Sequence, residues 1–386
     1  MTKLAPVVIF LYNRPYQTIN TLLNLKKNLN SKSTELIIYS DGYKKNDILD
    51  KKKVETVRYI IKNISGFKLK KIILRNRNFG LFKNITSGLD SVFKKYNKAI
   101  ILEDDILVNR FFLNYMNKAL RIYEKDDKVS SVHGWFCEHK KKLPKTFFLK
   151  GSDIWGWATW KRSWKDFERN PKKLIEKFNK EPKLIKKFNL MNSYDYFNLL
   201  KKRSLNLNQS WGILWNSSNF LKDKYYLNFS HTLCINIGQD FSGTHSTLNR
   251  GYFNQKLTNK KINLSRQKIK ENILCEKIKA NFFQKHADTN SLKKKSERII
   301  FKLFKKIVSR KNKITYHGPF DNWVSAQKKS KGYNDSKILS RVKKNTLIAK
   351  NNIYFFERDG SILKKNTISI NRLHLILDLI KKKKEN

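Results

Sequence analysis

Four mainly apolar runs in the first 105 residues each stop at a polar cluster, and that rhythm restricts the fold more than any other feature. Val7-Val8-Ile9-Phe10-Leu11 is continuous and uncharged, the pattern of a strand buried on both faces, and it ends at Tyr12-Asn13-Arg14. Leu36-Ile37-Ile38-Tyr39 ends at Ser40-Asp41-Gly42, Lys71-Ile72-Ile73-Leu74 ends at Arg75-Asn76-Arg77, and Ala99-Ile100-Ile101-Leu102 runs into Glu103-Asp104-Asp105. Helical stripes lie between the runs. Thr18 can cap a helix carrying Ile19, Leu22, Leu23 and Leu29 on one side; Val54, Val57, Ile61 and Ile64 mark a second; Ile85, Leu89, Val92 and Phe93 mark a third. Val129 to Trp135 reads as a further strand. Strands alternating with amphipathic helices predict an α/β fold, a mostly parallel twisted sheet with helices on both faces. Ligands of such sheets sit beyond the carboxyl ends of the strands, so the polar clusters are expected to converge on one site.

The acidic triplet carries the strongest chemical signal. Three adjacent carboxylates after a buried strand repel one another, and something must offset that repulsion. A hard divalent cation, Mn²⁺ or Mg²⁺, takes oxygen ligands and bridges substrate phosphates. A solvated acidic turn is the plainer alternative. Asp41 can accept from a base N–H or a ribose hydroxyl, with Gly42 allowing a close backbone turn, although Asp-Gly is also an ordinary turn signal. Arg14 is suited to pairing with a diphosphate. The loop Arg75-Asn76-Arg77-Asn78-Phe79-Gly80 opens a helix with Asn84 in its first turns, and such a loop accepts phosphate or sugar hydroxyls, or simply starts a helix.

Charge is extreme, at a formal +52 from 83 Lys and Arg against 31 Asp and Glu. The lysines are spread along the chain, which fits a solvated basic surface and a coding bias toward Lys, Asn and Ile. Contact with an anionic membrane surface is the functional alternative. Nucleic-acid binding is not expected, since no RNP-type motif, zinc-finger spacing or recognition helix is present. Cys137, Cys234 and Cys275 are too sparse for a disulfide framework or a zinc signature, which fits a reducing, cytoplasmic setting, with the inner face of a membrane as a peripheral location. The first apolar run begins beside Pro6 and reads as a strand, not a signal peptide; no stretch approaches the roughly 20 apolar residues of a membrane span.

Taken in order, Tyr12-Asn13-Arg14-Pro15, Ser40-Asp41-Gly42, Asn78-Phe79-Gly80 with Asn84, and Ile101-Leu102-Glu103-Asp104-Asp105 resemble bacterial glycosyltransferases of the GT-A superfamily. They are most similar to those of the N-acetylglucosaminyltransferase I type, with its Glu-Asp-Asp motif. Gly156-Trp157-Ala158-Thr159-Trp160, and Asn236-Ile237-Gly238 through Gly243-Thr244-His245, extend the resemblance over roughly residues 5 to 250. It implies a GT-A-type, Rossmann-like domain and transfer of a sugar from a nucleotide-diphosphate donor, UDP-sugar favoured, to a glycan or lipid-linked acceptor, as in surface-polysaccharide synthesis. By the same resemblance Asp41 contacts the nucleoside and Asp105 is the direct metal ligand. Glu103 and Asp104 line the ribose and donor-sugar side, Asn13, Arg14, Asn78 and Gly80 complete the donor pocket, and His245 meets the metal or diphosphate. Trp155, Trp157 and Trp211 shape the acceptor side as part of a tryptophan-rich loop. The family carries a catalytic Asp before a Trp where this chain reads Asn208-Gln209-Ser210-Trp211, and an amide does not take a proton at neutral pH. Asp153 and Asp240 are the candidate replacements, and the choice between them stays open.

The expected organisation is a transferase domain over 1–260, divided into a nucleotide-sugar half, 1–135, and an acceptor half, 136–260. A basic helical connector over 261–313 and a lysine-rich tail over 314–386 follow. The tail's Gly318-Pro319-Phe320-Asp321-Asn322-Trp323, Lys331-Gly332-Tyr333 and Glu357-Arg358-Asp359 resemble the leading segment of a bacterial methyltransferase family, without its glycine-rich cofactor loop. Two other readings remain: a nucleotidyltransferase acting on sugar phosphates, disfavoured because no glycine-rich basic signature follows the first strand, and a non-catalytic glycan- or membrane-binding protein.

Overall fold

The computed structural model describes residues 4–151, 153–238, 257, 258 and 262–287. Asp240, His245 and the 314–386 tail lie outside the described residues.

The amino-terminal half alternates as its periodicity predicts. Strand β1 (Val7–Leu11) leads to α1 (Pro15–Lys26), β2 (Glu35–Ser40) to α2 (Ile48–Asn63), β3 (Leu69–Leu74) to α3 (Gly80–Lys95), and β4 (Lys98–Glu103) follows. These four strands are parallel in the order β3-β2-β1-β4. That is the order of the mononucleotide-binding half of a doubly wound sheet. A continuous apolar strand needs cover on both faces, and β1 receives it. Val7, Ile9 and Leu11 join a core with α1 and α2, while Val8 and Phe10 join another with α3.

The short β5 (Ile106–Val108) leaves the triplet and leads to α4 (Phe112–Ile122) and β6 (Val129–His133), two residues shorter than expected. β7 (Thr146–Leu149), β8 (Trp157–Trp160), α5 (Lys161–Trp164), α6 (Pro171–Lys180), α7 (Lys183–Phe188), α8 (Tyr196–Ser204), α9 (Trp211–Leu221), β9 (Tyr225–Phe229), β10 (Cys234–Asn236) and α10 (Ile273–Ala287) follow. The full sheet has eight strands, β3-β2-β1-β4-β8-β6-β9-β7. Its second half is mixed: β8 runs antiparallel to both β4 and β6, β6 and β9 are parallel, and β7 closes the edge antiparallel to β9.

The tryptophan-rich segment read as a loop is therefore partly strand. Trp157 projects into the core shared with α3 and α9, whereas Ala158 and Trp160 project into the other. Thr159 Oγ1 donates to the Ser130 carbonyl at 2.7 Å, and the Trp160 indole donates to the Leu120 carbonyl at 3.1 Å. A four-residue strand buried on both faces has no room for polar alternation, which is why its sequence does not announce it.

Residues 262–287, expected to begin a basic connector, pack on the sheet. Cys275, Ala280 and Phe283 are buried, and the Phe282 ring meets Trp135 edge-on at 6.2 Å. Among the described residues no helix is long and apolar enough to cross a membrane.

Candidate functional site

The parallel register brings the polar clusters to one edge of the sheet, since Leu11 pairs with Ser40 and Phe10 with Glu103. The chain leaves β1 toward β2 on one side and returns through β4 on the other, so the switch point lies between β1 and β4. Arg14 and the acidic triplet meet there. Arg14 Nη1 donates to Asp104 Oδ1 at 2.8 Å and to Asp105 Oδ2 at 2.9 Å, and Nη2 donates to the Gly238 carbonyl at 3.3 Å. The two carboxylates are 9% and 13% exposed and the guanidinium 13%, so these are shielded, charge-assisted bonds.

One guanidinium does not balance three carboxylates. Burial, with Asp105 and Asp104 close by, pushes Glu103 up to about 8. Burial also holds Asp104 above the usual carboxylate range against the pull of Arg14. With Glu103 largely protonated at neutral pH, two aspartates still outnumber the one guanidinium, and that charge and the hard oxygen donors suit a divalent cation. Asp105 Oδ1 accepts no hydrogen bond among the described residues. No three His, Cys, Asp or Glu side chains among those residues are grouped to hold a metal alone, so a cation at Asp105 would draw further oxygens from a ligand.

The triplet is clamped from downstream. β10 pairs with β5, and Ile237 N donates to the Asp105 carbonyl at 2.8 Å. Gly238 follows, and a Cβ there would collide with the Asp105 carboxylate and the Arg14 guanidinium.

Asp41 is 2% exposed. Its Oδ1 accepts from Gly42 N at 2.9 Å and Phe79 N at 2.8 Å, and its Oδ2 accepts from Gly80 N at 3.0 Å. Burial raises its pKa and these three amides oppose the rise. Asp41 thus ties the end of β2 to the start of α3, and only Oδ2 keeps unused acceptor capacity for a ligand. Asn78 Nδ2 donates to the Gly42 carbonyl at 2.9 Å, closing the same junction. Gly80 holds φ at +74°, where a side chain would strain the turn.

The remaining sequence candidates are spread around this edge. Asn13 Nδ2 donates to Asp50 Oδ1 at 2.5 Å rather than toward the triplet. The Trp211 ring stacks on Trp157 at 5.4 Å. Trp211 and Trp157 are 2% and 1% exposed, as core residues are, whereas Trp155 is half-buried against Trp135. Gln209 is exposed and lies beside Gly80, whose added Cβ would sit 3.2 Å from Gln209 Oε1. Asp153 is aimed at Lys279 on α10, with Oδ2 at 3.3 Å from its ammonium.

Asp50 is a hub that sequence reasoning missed. It accepts from the Tyr12 hydroxyl at 2.6 Å, from Asn13, and from Lys44 N at 2.7 Å. Locally it reads only as an acid in the first turn of α2, capped by Asp47. Lys279, 2% exposed, was missed as well, as one lysine among many.

Comparison with known proteins adds little to this geometry. No family model matches the chain, and no curated protein matches it. A solved structure of the glycosyltransferase GlyE in Streptococcus pneumoniae TIGR4 matches at 14% identity over 59% of this chain, with a TM-score of 0.30. The match spans 45% of that protein, and at this score it carries no inference about this chain.

Proposed function

We propose that the chain is a glycosyltransferase that moves a sugar from a nucleotide-diphosphate donor, UDP-sugar favoured, to a glycan or lipid-linked acceptor. The observation that carries the reading is the Arg14–Asp104–Asp105 cluster at the β1/β4 switch point, beyond the carboxyl ends of four parallel strands. Asp105 would hold Mn²⁺ or Mg²⁺, with which it would neutralise charge on a departing nucleotide diphosphate. Arg14 orients both aspartates and offers its guanidinium to the phosphates. Asp41 fixes the Asn78–Gly80 loop that borders the nucleoside. Asp153 is the base candidate among the described residues, its charge balanced by Lys279. The amide at Gln209 favours a second reading, a glycan-binding protein without turnover.

Thermal unfolding with UDP, GDP and CMP, each with and without Mn²⁺, tests the donor site. UDP with Mn²⁺ at a hundredfold excess over its Kd is expected to raise Tm by roughly 5 °C or more. Asp105→Asn should abolish that shift, and Asp153→Asn should keep it while losing sugar transfer. No shift with any nucleotide sinks the reading; a shift with no transfer to any acceptor favours the binding protein.

A further inference from the structure

The rim around this site carries a second chemistry. Three segments border it, residues 42–53, 74–83 and 199–210, and they touch in series. Gly42 packs against the Arg77 backbone, Gly80 lies beside Gln209, and the Arg203 guanidinium sits 4.8 Å from the Phe82 ring centroid. Seven of the thirteen exposed large hydrophobic side chains among the described residues belong to these segments. Ile48 is 71% exposed, Leu205 67%, Leu207 70% and Leu81 38%. Asn206, at φ +57°, forms the turn that leaves Leu205 and Leu207 both facing solvent.

The same segments hold eleven Lys and Arg and two carboxylates, Asp47 and Asp50. Both carboxylates are used inside the fold, Asp47 as the cap of α2 and Asp50 as the hub below it. Aliphatic side chains projecting from a cationic surface match the two forces that hold a protein on an anionic bilayer: apolar burial at the acyl boundary and attraction to headgroups. Single-stranded nucleic acid would ask instead for exposed aromatic platforms, and Tyr43 is the one exposed aromatic here.

We propose that this rim docks on an anionic lipid surface, with Ile48, Leu81, Leu205 and Leu207 entering the interface and the neighbouring lysines lying over the headgroups. The proposal rests on the donor-site reading only for its consequence, that the site opens toward the bilayer and takes its acceptor there.

Co-sedimentation of the full chain tests it, with vesicles of equal parts phosphatidylglycerol and phosphatidylcholine against vesicles of phosphatidylcholine alone. Binding is expected only to the anionic vesicles. Leu205→Gln with Leu207→Gln, which leaves net charge unchanged, should weaken it by about tenfold. Ile273→Gln with Leu274→Gln, an exposed pair on α10, should leave it unchanged. Equal sedimentation with both vesicle types overturns the proposal. So does a Leu205/Leu207 variant that binds like the parent, because charge spread over the whole chain would then be responsible. RNA retained where vesicles are not would assign the rim to a nucleic acid and also overturn it. Nucleotide-dependent thermal shifts of the same variants report on the donor site separately, so failure of one reading is distinguishable from failure of the other.

Discussion

At the scale of single residues, Arg14 and His133 make opposite demands on charge. Arg14 bridges two shielded carboxylates, and removing it leaves both without their guanidinium. Breaking such a pair from one side costs about 3–5 kcal/mol, because the remaining charges stay desolvated. Urea unfolding of metal-free Arg14→Ala should show a loss of that order, and Arg14→Lys an intermediate one, since an ammonium does not span both carboxylates as a fork does. His133 is buried and must stay neutral. Burial lowers it to about 3, while its Nε2 lies 2.7 Å from Ser131 Oγ and its ring stacks on Tyr226 at 4.7 Å. The unfolded chain binds that proton near pH 6.5 and the folded one does not. Its contribution to stability is thus present above pH 6.5 and is lost as pH falls from 6.5 toward 3, at about 1.4 kcal/mol per pH unit. The stability profile of His133→Gln should be flatter across that window; an unchanged slope would remove His133 as the cause.

At the scale of elements, the edge strand β3 does two jobs. Its Lys70 ammonium donates to the carbonyls of Ile61 at 3.1 Å, Lys62 at 2.8 Å and Ile64 at 2.7 Å, closing the carboxyl end of α2. Lys71, exposed on the same strand, discourages pairing with another chain. Lys70→Met keeps the stem but uncaps the helix, and should lower unfolding free energy by about 1 kcal/mol in a urea titration. Elements also mark how far the sequence could be read. β1, β2 and β4 were legible because each holds a continuous apolar run, β3 through Ile72-Ile73-Leu74 alone, and the placement of Arg14, Asp41 and Asp105 at one sheet edge was legible because each follows an apolar run. β5, β7, β8, β9 and β10 are three to five residues long and carry no period that separates strand from loop. The Asp50 hub was not legible either, since its partners Tyr12 and Asn13 come from a distant segment. The acceptor-side reading of Trp157 placed at a ligand an indole that the fold uses between sheet and helix.

At the scale of the whole molecule, self-repulsion from a +52 charge outweighs what scattered surface ion pairs return, since such pairs contribute about 0–1 kcal/mol each. Added salt should therefore raise Tm, measured in sodium chloride from low concentration to about 0.5 M, where the screening length falls to a few ångströms. A fall in Tm would mean that local pairs such as Arg266–Asp126 dominate instead. The strand order has a consequence in time. β4 is complete at Glu103, but its outer neighbour β8 begins at Trp157. A ribosome adding 5–20 residues per second takes roughly 3–10 s to cross that interval. Throughout it, the growing chain holds a nearly finished parallel half-sheet with one unpaired flank at β4, the kind of edge that invites pairing with another chain.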